Sequence, residues 1–339
     1  MTKDEAQSKG MKIYDTKHSM MRRCEWHDYR RKGTYHITLL ISGFENLLGT
    51  VEGDADAPAS SPNAPKMVYS RLAKFIEVYE FIKIHQKYPM VELWKFRIMS
   101  DHIHMIVHIS EDMEKHLGQV IAGFKGGCSR AARDLGISIN KKPVPKEGEP
   151  VVPLFEPGYN DKILWNYEKQ FGAWINYLND NPRRFLVKQS KKAFFAIRRD
   201  FMVADTKCQI LGNRFLLDYP EKVAVIYHHK YSAEKWNVLC ERWLACGSRG
   251  GVLVSAAIHP NEKEVIRTAY ERGYKIIRLR QKGFPDRYKP EGRSFDYCAE
   301  GLLLLISPWE YYFENRKITR DECKALNALA EKIVGEVEE

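Results

Sequence analysis

Apolar and polar positions alternate along Tyr35-His-Ile-Thr-Leu-Leu-Ile-Ser, which predicts a first strand, and Leu47-Leu48-Gly-Thr-Val-Glu is its expected hairpin partner. The Pro-, Ser- and Asp-rich stretch 53–65 reads as a surface loop. From Ser70 to about Lys87 the period changes: Leu72, Phe75, Ile76, Tyr79, Ile82 and Ile84 recur at helical spacing. Val91 to Met99 is again strand-like, and Ser100-Asp101 turns the chain into a strand that is apolar over 103–109 except at His104 and His108. A side-chain period of two puts His102, His104, Ile106 and His108 on one face, while Ile103 and Met105 anchor the other in a core. A second helix over about Asp112 to Leu135 completes the order strand, strand, helix, strand, strand, helix. That order predicts an α+β sandwich with the helices on one face of an antiparallel sheet.

Beyond it, 136–158 is a Pro-rich loop, and a helix from about Tyr167 to Asn181 is expected to stop at Pro182. Strand-like Val223-Ala-Val-Ile-Tyr, Gly251-Val-Leu-Val-Ser, Lys275-Ile-Ile-Arg-Leu and Leu302-Leu-Leu-Leu-Ile alternate with helical stretches up to a last helix from about Thr319. This alternation predicts a parallel sheet in a second, Rossmann-like α/β domain. The expected organisation is a basic N-terminal arm over 1–33, an α+β domain over 34–190, a linker over 191–222 and the α/β domain over 223–339. No G-x-G-x-x-G or Walker loop is present; Ser255 and the helix that follows it are the candidates for holding a phosphate in this second domain.

Composition narrows the function classes. A chain of 339 residues with 44% hydrophobic content can bury two cores. No apolar run approaches the ~20 residues of a membrane span, and the first residues lack the apolar stretch of a signal peptide, so a cytoplasmic protein without a membrane partner is expected. The seven cysteines are scattered and form no C-x-x-C, so they read as reduced thiols. A formal charge of +10 favours a polyanionic partner. Candidate backbone contacts are Arg30, Arg31 and Lys32 on the arm, Lys125 and Arg130 on the second helix, and Arg183, Arg184 and Lys188 after Pro182.

Two imidazoles at i and i+2 on a strand can converge on one divalent ion. Tyr177 and Asn181 stand four apart and so share a helix face, a phenol beside an amide oxygen. His102-Ile103-His104 opening an apolar strand, Phe124-Lys125 on the next helix and Tyr177-Leu-Asn-Asp-Asn181-Pro182 resemble, in that order, the REP-associated tyrosine transposases, single-tyrosine members of the HUH (His-hydrophobic-His) nucleases. The resemblance spans roughly residues 30–190. It implies a ferredoxin-like sheet, His102 and His104 as metal ligands with Asn181 as a third, Tyr177 as nucleophile, and Mg²⁺ or Mn²⁺. It further implies a single-stranded DNA substrate carrying a hairpin, and either a monomer or a homodimer working at the nucleoid.

The chemistry suits the residue types. A tyrosine oxygen attacking a backbone phosphorus gives a 5′-phosphotyrosine link and a free 3′-hydroxyl, and a second 3′-hydroxyl can then rejoin the strand without ATP. Tyr159, in a nearby Gly-Tyr-Asn-Asp loop, is a competing nucleophile, and His108 reads as a core or supporting residue. The alternative reading is a hairpin-DNA-binding regulator in which cleavage is secondary or lost.

Overall fold

The computed structural model describes residues 27–146, 148–165, 167–228, 231–286, 288–312 and 316–335. It divides into two compact units, Met1–Leu186 and Val187–Glu339, each with its own apolar core.

In the first unit, β1 (Gly33–Leu40), β4 (Val91–Ile98), β5 (His102–Ile109) and β6 (Asn160–Ile163) form a four-stranded antiparallel sheet in the order β4-β5-β1-β6. A helix, α1 (residues 71–87), lies between β1 and β4, and α2 (Leu117–Asp134) lies between β5 and β6. The order of elements is therefore βαββαβ with the first strand central, the ferredoxin-like arrangement. Alternation divides the sheet. Tyr35, Ile37 and Leu39 of β1 and Ile103, Met105 and Val107 of β5 are fully buried against Leu72, Ile76, Val120, Ile121 and Phe124 of the two helices. The opposite face carries Thr34, His36 and Thr38 in register with His108, Ile106 and His104. Helix α3 (Tyr167–Ser190) covers that face, with Leu164 and Leu178 buried against Ile106 and with Trp94, Phe171, Trp174 and Tyr177 around them.

Several expectations change here. Gly49–Glu52 (β2) pairs with Lys66–Tyr69 (β3) as a separate hairpin, not with β1. The helix over 71–87 is interrupted: Arg71–Phe75 and Phe81–Lys87 are α-helical, and Ile76–Glu80 between them is a π-helical turn. Helix α3 does not stop at Pro182 but runs to Ser190 with the proline inside it. Of the N-terminal arm, Arg22 and Arg23 lie outside the described residues, and the part from His27 onward is docked. Tyr29 is buried, donates to Asp161 (2.6 Å) and stacks on Tyr35.

In the second unit, β9 (Lys222–Ala224), β10 (Val252–Ser255), β11 (Lys275–Leu279) and β12 (Leu303–Ser307) are parallel neighbours in chain order. Helices α5 (Ala233–Ser248), α6 (Pro260–Glu271) and α7 (Arg293–Ala299) connect them, and α8 (Arg320–Val334) packs on β9 and β10. The expected linker is part of this sheet. After a short α4 (Lys192–Phe195), β7 (Arg198–Val203) and β8 (Thr206–Gly212) form a hairpin whose second strand pairs antiparallel with β12. Cys208 and Ile210 bury their side chains in the core, so β8 is held by burial as well as by pairing. Among the described residues the parallel strands run in sequence without a reversal, so no switch point of the kind at which doubly wound folds bind nucleotides occurs between them.

Candidate metal and tyrosine site

The site is built on β5. His102 and His104 are both buried, and their Nε2 atoms face each other at 3.1 Å. Each ring is oriented by what its Nδ1 meets. His102 Nδ1 is 2.5 Å from Asp101 Oδ1, and His104 Nδ1 is 3.0 Å from Thr38 Oγ1 and 3.1 Å from His36 Nε2. An Nδ1–H that donates, as His102 does to the Asp101 carboxylate, leaves Nε2 as the lone-pair nitrogen, the state a metal ligand requires. Two adjacent positions of an octahedral ion with ~2.1 Å bonds lie about 3.0 Å apart, so the imidazole pair has the spacing of two neighbouring ligands of one hard divalent cation.

Helix α3 brings the phenol alongside. The Tyr177 ring centroid is 5.7 Å from that of His104 and 6.3 Å from that of His36, edge-on to both. Trp174, one turn earlier, lies 4.3 Å from His36. Arg184 is buried, and its guanidinium sits 5.5 Å from the Tyr177 ring and 3.9 Å from Asp180. Asn181 is buried and donates from Nδ2 to the Tyr177 carbonyl (3.0 Å), so its amide oxygen is the atom it has to offer a cation. Among the described residues no group of three or more His, Cys, Asp and Glu side chains gathers around a common point. The nitrogens that converge are those of the two imidazoles.

A proline inside a helix removes one backbone donor and leaves the carbonyl four residues earlier without its partner. For Pro182 that carbonyl belongs to Leu178, and Arg97 on β4 supplies the donor: Nε to Leu178 O at 3.0 Å, with Nη2 to Asn179 Oδ1 at 3.0 Å. Arg97 stands opposite His104 in the sheet register. The strand paired with the histidine strand and the helix carrying the tyrosine are thus tied at one point.

The remaining candidates separate. Tyr159 packs with the apolar core on the other side of the sheet, against the start of α2, so it is not placed to replace Tyr177. His108 stacks on Trp94 (4.2 Å) and meets Thr34 Oγ1 (2.8 Å), and burial lowers its pKa. Lys125 corrects the expectation of a backbone contact: its half-buried ammonium donates to the carbonyls of Glu156 (2.6 Å) and Gly158 (2.8 Å), pinning the loop before β6, and burial lowers its pKa. Arg30 is paired with Asp28 and Arg183 with Asp180, each through two hydrogen bonds. Arg31, Lys32 and Arg130 are exposed, and Lys188 is half-buried.

The sequence reading passed over His36, Thr38, Asp101 and Arg97 as parts of this site. Burial, together with Lys162 and His102, depresses the His36 pKa to about 3, so this ring is neutral and supports His104 without adding charge. The signal for His36 and Thr38 was their alternation on β1, legible only once β1 is paired with β5 in register.

In the second unit the expected phosphate cradle is already filled by the chain itself. Ser255 Oγ donates to Val225 O (2.8 Å) and accepts from Ala257 N (3.0 Å). The buried Glu262 carboxylate takes the amides of Tyr227, Ile258 and His259 around the start of α6.

No family model matches the chain, and no curated protein matches it in sequence. Among the described residues no helix is long and apolar enough to cross a membrane. Several solved structures show partial, distant likeness, two of them as follows. One is described as a REP-associated tyrosine transposase bound to a REP hairpin, with a TM-score of 0.31 and 14% identity over 52% of this chain and 74% of that one. The other is described as DNA processing protein A from Helicobacter pylori in a single-stranded DNA binding mode, with a TM-score of 0.30 and 16% identity over 42% of this chain and 67% of that one.

Proposed function

We infer that the first unit is a divalent-metal-dependent, tyrosine-nucleophile enzyme that nicks and rejoins single-stranded DNA beside hairpins. The observation that carries this reading is the convergence of the two Nε2 atoms at 3.1 Å, with the Tyr177 ring edge-on to His104 at 5.7 Å between centroids. His102, His104 and the Asn181 amide oxygen would hold Mg²⁺ or Mn²⁺. When bound, such an ion polarises the scissile phosphate and offsets charge on the leaving oxygen.

The chain's own groups account for the rest. The Tyr177 oxygen attacks the phosphorus, the P–O3′ bond breaks, a 5′-phosphotyrosine forms and the 3′-hydroxyl is released. In the return step a 3′-hydroxyl attacks and expels the phenol. Asp101, Thr38 and His36 keep both Nε2 lone pairs aimed at one point. Arg184 over the phenol ring favours negative charge there as the O–H proton leaves, and Arg97 fixes the register of α3 against β5. Trp174 and Lys162, whose ammonium lies 5.0 Å from the indole, offer a stacking plane and a cation to an unpaired nucleotide at the β6 edge.

The test is incubation of the full chain with hairpin-bearing single-stranded oligonucleotides and Mn²⁺, followed by a denaturing gel. Wild type is expected to give a covalent protein–DNA adduct, and Tyr177→Phe is expected to bind the hairpin undiminished with no adduct. His102→Ala and His104→Ala are expected to lose the metal dependence. Hairpin binding by wild type with no adduct under any divalent metal would favour the regulator reading instead.

A further inference from the structure

The second unit contains a cavity of about 260 Å³ between α6, the end of β11 and α7, away from the filled start of α6. Lys263, Arg267 and Tyr270 of α6, Arg278 of β11, and Arg293 and Ser294 of α7 line it, and among the described residues no carboxylate does. Four cations therefore face one small space. Arg267 is paired with Glu264 on its own helix. Arg278 is different. Its Nε is buried with no hydrogen-bond partner, no carboxylate among the described residues forms an ion pair with it, and burial lowers its pKa. A buried N–H without a partner is unfavourable, and an anionic ligand beside this guanidinium would offset that cost. The Tyr270 and Ser294 hydroxyls, 3.3 Å apart, add neutral donors beside it.

We propose that this cavity is a binding site for a phosphoryl group, with the half-buried Arg278 as its anchor and Lys263, Arg267 and Arg293 as its rim. A planar guanidinium fork matches two phosphoryl oxygens, and the hydroxyls suit a third. The volume lies below the ~300–1,000 Å³ of a site for a whole drug-sized ligand, so the site takes the phosphate end of a ligand and leaves the remainder at the mouth. That end can belong to a free nucleotide or to the 5′-terminus of an oligonucleotide. The site is independent of the chemistry proposed for the histidine pair.

The experiment is calorimetric titration of the full chain, in metal-free buffer at fixed chloride, with pyrophosphate, with ADP, and with a short oligodeoxynucleotide with or without a 5′-phosphate. Saturable binding of at least one phosphorylated probe is expected, weakened about tenfold or more in Arg278→Met and in Arg293→Ala. Arg293 is exposed, so its variant keeps the test informative if Arg278→Met fails to fold. ADP binding more tightly than pyrophosphate would identify a nucleotide as the source, and a gain confined to the phosphorylated oligonucleotide would identify a DNA end. Absence of saturable binding by wild type, or equal binding by wild type and both variants, overturns the assignment.

Discussion

Arg97 meets two needs at one atom pair. Pro182 leaves the Leu178 carbonyl without an intrahelical donor next to a half-covered sheet face, and the guanidinium that satisfies it projects from the strand paired with the histidines. A charged hydrogen bond of this kind contributes about 1.5–3 kcal/mol. Arg97→Met keeps the side-chain stem and removes the donors, so it is expected to destabilise the first unit by that amount in urea unfolding. Strand joining is expected to fall by a larger factor than hairpin binding, because α3 loses its register over His104. A loss below about 0.5 kcal/mol would show that water or backbone adjustment satisfies Leu178 instead. Neither effect could be read in the sequence, where a proline four residues after a leucine signals only a helix end. The histidine pair was legible because an imidazole at every second position of an apolar strand is a local pattern. Its supports were not, because His36, Thr38 and Arg97 reach it through strand pairing.

At the scale of elements, what was legible follows period and length. The strands at 35–42, 91–99 and 102–109 and the helices flanking them carry enough alternating or helical positions to declare themselves. Strand β6 has four residues, Asn160–Ile163, alternately exposed and half-buried, and is held by pairing with β1. Strand β7 is largely exposed over Arg198–Val203, so it showed as a basic linker. The π-turn in α1 was also silent. It places Glu80, buried and paired with Lys83 (2.5 Å), against Gly127 of α2, where an added Cβ would overlap the carboxylate. Gly127→Ala is expected to cost about 1–3 kcal/mol in chemical denaturation. Combining it with Glu80→Ala is expected to give less than the sum of the two single losses; additivity would mean that the two helices do not meet there.

The last helix supplies the pH dependence. Thr319 and Glu322 form a capping box at the start of α8, and Arg316 also binds the Glu322 carboxylate. Hydrogen bonds from Arg316 and from the Thr319 amide hold the Glu322 carboxyl near 2, against an ordinary value of 4.5. A depressed carboxyl stabilises the fold above its unfolded pKa and loses that contribution as pH falls from about 4.5 towards 2. Glu322→Gln is therefore expected to be about 1 kcal/mol less stable than wild type at pH 7, with the gap closing by pH 2 to 3 in thermal melts. A gap independent of pH would place the effect in packing.

The two units have separate cores, one over the ferredoxin-like sheet and one over the mixed sheet of the second unit, and each buries its own set of large apolar side chains. A chain built this way is not expected to unfold in a single all-or-none step. A ligand that binds only the folded form raises the melting of the unit that holds it, by an amount set by the logarithm of its concentration over its dissociation constant. Mn²⁺ is accordingly expected to raise only the transition of the first unit in scanning calorimetry, and His104→Ala to abolish that rise. The two transitions can be assigned by fluorescence, because Trp94 stacks on His108 and Trp174 lies against His36, near the proposed metal ligands, whereas Trp236 and Trp243 report on the second unit. Replacing Trp174 with Phe should remove much of the signal change of the Mn²⁺-sensitive transition and leave the other transition untouched. A rise of both transitions together with Mn²⁺, undiminished in His104→Ala, would mean that the ion binds somewhere other than the imidazole pair.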